Sequence, residues 1–205
     1  MPEEFKILAI NPGSTSTKFA WYVGERAHVV KKLRHSEADL ARFRGRSILD
    51  QQEFRIAQIT TAVKDAGCEL GDLSAVVGRG GLLPPVSSGT YEVDEFMLDE
   101  LREARRGEHA SNLGAFLAHR IAKDAGVKAY VVDPVSVDEW NDCARLSGSA
   151  LLERQCLSHA LNSKAVGRCR SRVKANKPYR WTYRDKITWN VAHDHTVVCY
   201  SKTGS

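Results

Sequence analysis

KILAINPGSTSTKFAWYVG, residues 6–24, runs from apolar to polar and back to apolar. Residues 5–10 read as a buried strand and residues 18–23 as its hairpin partner, with Asn11-Pro12-Gly13 opening the connection. Four consecutive hydroxyl residues, Ser14, Thr15, Ser16 and Thr17, followed by Lys18, exceed what a turn requires. Taken as residues alone, the stretch admits a polar hairpin or a phosphate cradle. In the cradle, Gly13 lets a ligand approach the backbone, the hydroxyls and amides donate to phosphate oxygens, and Lys18 adds a point charge. It is not a Walker A loop, because G-x-x-x-x-G-K-[ST] is absent and the element that follows is a strand.

Outward from this hairpin, residues 27–34 read as a third strand, giving an antiparallel opening. Residues 48–66 have helical spacing, with Ile56, Ile59, Ala62 and Val63 on one face and Gly67 as a stop. Residues 73–77 form a short β-branched run that enters Gly78-Arg79-Gly80-Gly81. A short strand over 90–93, a charged helix over 94–106 and an amphipathic helix over 110–125 follow. A buried strand over 127–132 then stops at Asp133-Pro134, and residues 147–168 are again helical in pattern. A meander followed by βα units predicts an α/β fold with a mixed sheet flanked by helices.

The 205 residues allow one or two domains. No run approaches the roughly 20 apolar residues of a membrane span, and the acidic start, Met1-Pro2-Glu3-Glu4, does not resemble a signal peptide. Five scattered cysteines without a C-x-x-C pair argue against a disulfide framework or a zinc site and for a reducing cytoplasm. The net charge of +5 is uneven: residues 168–205 hold nine Lys/Arg against two Asp/Glu, whereas the preceding residues carry −2. A basic tail alone is no nucleic-acid signature for the whole chain.

Ligands of such sheets bind beyond strand ends, where loops converge. Glycines on both sides leave the Arg79 guanidinium accessible, and its fork suits a carboxylate or phosphate; a tight turn with a surface arginine is the plainer reading. Asp133 could hold a hydrated Mg²⁺ or orient a reacting group, or simply cap a helix that starts at Pro134. His109, in GEHASN, lies at a helix start that would welcome an anion, or is an exposed cap residue. His159, in LSHALN, lies beside apolar helix positions, where a half-buried histidine is the default.

Taken in order, NPGSTSTK, VVGRGGLL, SGTYEV, GEHASNLG, VVDPVSVDE and HALNSKAVGR resemble the butyrate kinase branch of the acetate-kinase family, from about Lys6 to Arg168. That family belongs to the acetate and sugar kinase, Hsc70 and actin superfamily. The resemblance implies a ribonuclease-H-like (actin-like ATPase) mixed sheet, with a first domain over 1–146 and the start of a truncated second domain over 147–205. It implies phosphoryl transfer from ATP, with Mg²⁺, to butyrate or a branched short-chain acid. By the same resemblance Gly13, Ser14, Thr15, Thr17 and Lys18 face nucleotide phosphate, and Asn11 and Asp133 lie near the metal. Arg79 and His109 bind the carboxylate, while Asp133, His159 and Arg79 act in catalysis. Homodimers are a further implication.

Beyond Arg168 the pattern departs from the family. Val191-Ala192-His193 is present, but Asp194-His195-Thr196-Val197-Val198 stands where a glycine-rich phosphate loop is expected. Either residues 169–205 are divergent or frame-displaced, or they form a basic extension with its own partner. Trp181, Tyr183 and Trp189 among Lys and Arg suit base stacking, although an unstructured basic end is the plainer reading. Because the family's ATP site lies between two domains, this chain is expected to turn over weakly or not at all. The alternatives are a carboxylate- or phosphate-binding remnant without transfer, and an interaction module using the tail.

Overall fold

The computed structural model describes residues 4–138 together with the backbone of 188–192 and 195–199. Three strands open the chain: β1 (Lys6–Pro12), β2 (Ser16–Val23) and β3 (Arg26–Arg34). The short helix α1 (Glu37–Ala41) begins at a capping box between Ser36 and Asp39, a signal not used in the sequence reading. A 3₁₀ turn over Ile48–Gln51 leads into α2 (Gln52–Lys64). There follow β4 (Ala75–Gly78), β5 (Thr90–Glu92), α3 (Glu95–Glu103), a 3₁₀ turn over Ala110–Asn112, α4 (Leu113–Ala125) and β6 (Lys128–Val132). A separate hairpin, β7 (Thr188–Ala192) with β8 (His195–Cys199), lies in the tail, where little periodicity was legible.

Six strands form one mixed sheet in the order β3-β2-β1-β4-β6-β5. Strands β1, β4 and β6 are parallel neighbours, and β2, β3 and β5 run antiparallel to theirs. The expected mixed sheet with flanking helices is therefore the fold observed. Alternation along the first hairpin buries Leu8, Ile10, Phe19 and Trp21 on one face. Against this layer pack Ile59 and Val63 of α2 and Leu113, Leu117 and Ile121 of α4, in one continuous core. Gly126 ends α4 at φ +70°, its N–H donating to the Ala122 carbonyl.

Most boundaries shift by one to four residues from the sequence reading, and the reason is local. Gln51 and Asn112 each close a 3₁₀ turn before the α-helix proper begins, so the helices over 48–66 and 110–125 start late. The first hairpin is longer than expected. Pairing continues to Pro12↔Thr17, leaving only the four residues Gly13 to Ser16 between the last paired positions.

The chain divides into two compact units. One comprises the residues through Pro84 with Gly89–Pro134, and holds the six-stranded sheet. The other takes Pro85–Ser88 with the chain from Val135 onward. Within it Val86 and Val137 form an isolated parallel bridge, with the Asp138 N–H donating to the Val86 carbonyl at 2.8 Å. The boundary expected after residue 146 lies outside the described residues.

Candidate functional site

Register fixes the site. Ile10 of β1 pairs with Gly78 of β4, which pairs with Val131 of β6. One residue further along lie Asn11, Arg79 and Val132, and Asp133 follows. With strands about 4.8 Å apart, the ends of β1, β4 and β6 lie within about 10 Å of one another. Asn11 and Arg79 thus meet Asp133 at the carboxyl edge of the parallel strands.

Arg79 keeps to the register through its N–H, which donates to the Ile10 carbonyl at 2.9 Å. Its Nε is buried and has no hydrogen-bond partner among the described residues. Burial pulls the guanidinium below its ordinary pKa, from a value far above neutrality. The flanking glycines serve close packing, not exposure of the guanidinium. A Cβ on Gly114 of α4 would overlap the Arg79 carbonyl, and one on Gly78 would overlap Gly114. A Cβ on Gly80 would come within 2.6 Å of the Pro134 Cβ, and one on Gly81 within 2.6 Å of the Asn112 Cα. Glycine at these positions lets the first turn of α4 sit on the sheet edge, with its amide end toward the site.

Asp133 has φ +43°, a left-handed conformation that few non-glycine residues adopt. It is held by the loop before β5: its N–H donates to the Gly89 carbonyl at 3.0 Å, and its Oδ1 accepts from the Gly89 N–H at 2.9 Å. No helix begins at Pro134 among the described residues, so the helix-cap reading of Asp133 finds no support. His109 is an exposed cap, as its plainer reading had it. Its Nδ1 accepts from the Ser111 N–H at 3.2 Å and lies 2.8 Å from the Ser111 Oγ. A ring nitrogen that accepts carries no hydrogen, so the neutral ring keeps its proton on Nε2. The Asn112 Oδ1 accepts from the Leu82 N–H at 3.0 Å, tying this segment to the one that carries Arg79.

The hydroxyl run divides between two environments. Ser14 and Thr15 are exposed at the turn, and Lys18, directly opposite Asn11, is exposed on the site-bearing strands. Thr17 departs from its expected role as a phosphate ligand. It is fully buried, with its hydroxyl accepting from Arg55 Nη1 and lying 2.9 Å from His35 Nε2. The Gly13 N–H is also engaged, donating to the Ser16 carbonyl at 2.7 Å. Strand alternation is the reason: Thr17 shares a face with Phe19 and Trp21, whereas Lys18 faces the other way. His159 lies outside the described residues.

Sequence reading missed the residues beneath the turn. Arg55 of α2 is fully buried and His35 nearly so. Arg55 Nη1 donates to the Gly13 carbonyl at 2.8 Å and Nη2 to the Ser14 carbonyl at 3.1 Å. Gln51 Oε1 accepts from both Nε and Nη2. The available signal was phase, because Arg55 lies in the apolar stripe of α2, one turn before Ile59. Burial lowers its pKa to about 10, so it remains a cation at neutral pH. His35 is pushed below its ordinary value, first by burial and then by the Arg55 charge.

The edge therefore gathers donors and cations around one carboxylate, an arrangement suited to anions. Among the described residues no three His, Cys, Asp or Glu side chains gather as a metal cluster. Asp133 and Asn11 offer one carboxylate and one amide oxygen. That set fits Mg²⁺ brought by a polyphosphate, which needs one or two carboxylates and takes its other ligands from phosphate and water. No helix among the described residues is long and apolar enough to cross a membrane.

No family model matches the chain. A probable butyrate kinase of Coprothermobacter proteolyticus is 51% identical over 189 residues, covering 92% of this chain and 51% of that protein. Butyrate kinase 1 of Clostridium acetobutylicum is 49% identical over 164 residues, covering 80% of this chain and 46% of that protein. The chain spans about half the length of the curated relatives it matches. An alignment of 189 of the 205 residues necessarily enters the segment beyond Arg168. Among solved structures, Porphyromonas gingivalis acetate kinase aligns with a TM-score of 0.47 at 14% identity, over 71% of this chain and 41% of that one. A Francisella tularensis propionate kinase gives 0.47 at 13% identity, over 84% and 50%.

Proposed function

From a chain that is a sequence relative of the butyrate kinases over 92% of its residues, we propose a role in short-chain carboxylate phosphorylation, with ATP as donor and butyrate or a branched acid as acceptor. The single observation that carries the reading is Arg79: a half-buried guanidinium at the carboxyl edge, with its buried Nε unpartnered among the described residues. An unpaired buried donor is costly unless a ligand completes it, and a carboxylate matches the guanidinium fork.

In the reaction, an acceptor carboxylate oxygen bonds to the γ-phosphorus of ATP. The bond from that phosphorus to the bridging oxygen breaks, and its electron pair leaves with ADP. A carboxylate is ionised at neutral pH, so no proton needs to be removed. The protein's task is positioning and charge neutralisation. Arg79 holds the acceptor, with His109 nearby on the α4 side. The turn at Ser14 and Thr15, with Lys18, faces the phosphates. Asn11 and Asp133 would hold Mg²⁺, which when bound neutralises charge on the phosphate oxygens. His159 is proposed to stabilise the phosphoryl group in transfer. Residues 1–146 are proposed as the first acetokinase-type domain and 147–205 as the start of a second. A dimeric, cytoplasmic protein accords with this reading.

Acyl-phosphate trapping with hydroxylamine, in ATP, Mg²⁺ and butyrate, reports transfer. Titration of the ¹⁵N-labelled chain with butyrate, observed at Arg79 Nε, reports binding. We expect butyrate to shift that resonance and Arg79→Ala to weaken butyrate binding at least about tenfold. Unchanged butyrate affinity in Arg79→Ala would refute the assignment.

A further inference from the structure

Every carbonyl of residues 13–16 is consumed by a hydrogen bond. Those of Gly13, Ser14 and Ser16 accept from the Arg55 guanidinium, and that of Thr15 accepts from the His35 N–H at 3.0 Å. All peptide bonds described here are trans. Each planar trans peptide directs its N–H opposite to its carbonyl, so the amides of Ser14 and Thr15 point away from Arg55. Neither amide has a hydrogen-bond partner among the described residues. Arg55 donates to no carboxylate among the described residues. Its bonds go to backbone carbonyls, the Thr17 hydroxyl and the Gln51 amide oxygen. A fully buried cation whose hydrogen-bond partners among the described residues are all neutral is an expensive feature for a hairpin whose strands already pair.

We infer that Arg55 is a positioning residue for polyphosphate: from beneath the turn it fixes the carbonyls of Gly13, Ser14 and Ser16 inward, presenting the Ser14 and Thr15 amides outward as a preformed anion nest. Its charge adds a favourable field for an anion without touching it. Gln51, which holds Nε and Nη2, keeps the fork aimed at the turn. The inference rests on the phosphate-facing reading of this turn and assigns that function to a residue buried behind it.

The test is an NMR titration of the ¹⁵N-labelled full chain with inorganic tripolyphosphate, and separately with butyrate, in wild type, Arg55→Met and Gln51→Leu. In wild type we expect tripolyphosphate to move the Ser14 and Thr15 amides and butyrate to move Arg79 Nε. Arg55→Met should weaken tripolyphosphate binding about tenfold or more, with Gln51→Leu intermediate and butyrate affinity unchanged in both. A general loss of structure would weaken both ligands, so the split between them identifies positioning. If Arg55→Met does not fold, Gln51→Leu alone carries the test. Tripolyphosphate affinity unchanged by these variants, or no response of the turn amides in wild type, overturns the inference. If Arg79 does not respond to butyrate while the turn behaves as expected, the carboxylate kinase reading fails and this one stands.

Discussion

At the scale of single residues, the hydroxyl run of the first hairpin illustrates how alternation assigns roles. Ser14 and Thr15 sit outside, while Thr17 turns in to meet Arg55 and His35. Composition identifies the run as unusual, but only the strand phase decides which hydroxyl can meet a ligand. His35 gives this cluster a pH dependence. Its folded pKa lies below the ordinary 6.5, so the unfolded chain takes up a proton first on acidification. The stability it confers is complete above about pH 6.5 and is lost as pH falls from there toward the folded pKa. Urea unfolding of wild type and His35→Gln at a series of pH values should therefore show the wild type losing more stability between pH 7 and 5. Parallel pH profiles for the two proteins would exclude His35 as the source.

Among the elements, α4 matters most for the site, and its placement depends on glycine. The sequence GRGG suggested an accessible arginine. In the fold, Gly78 and Gly114 allow the α4 backbone to rest against the backbone of Gly78-Arg79 without an intervening Cβ. We expect Gly114→Ala to destabilise the protein by about 2 kcal/mol or more, because backbone on both sides must shift. Gly71, where an added Cβ meets nothing within 4 Å and φ is not positive, is the control. Gly71→Ala should change stability by less than about 0.5 kcal/mol. Thermal or urea unfolding of both variants measures the contrast, and equal effects would contradict the packing. The α4 stripe itself was legible, since Leu113, Leu117 and Ile121 recur at helical spacing. The glycine contact was not, because it joins residues 36 positions apart and leaves no periodic trace.

For the whole molecule, the sheet order makes a further prediction. Strands β1 and β4 are paired on both sides, whereas β5 is a three-residue edge strand. In native-state hydrogen exchange, amides of Leu8 and Val76 should be among the slowest and those of β5 should exchange well before them. Protection of β5 equal to that of β1 would be inconsistent with this order. The amino-acid sequence by itself determined the strand and helix types of the described core and the resemblance to the butyrate kinases, because apolar periodicity and ordered motifs are local properties of the chain. It also marked Arg79, His109 and Asp133 as chemically unusual, and the resemblance added Asn11. Tertiary structure alone decided that the ends of β1, β4 and β6 lie side by side, that Thr17 is interior, and that a buried arginine holds the turn. These depend on parallel pairing between distant segments and on which face of each strand meets α2 and α4, and neither is written in any single stretch of residues.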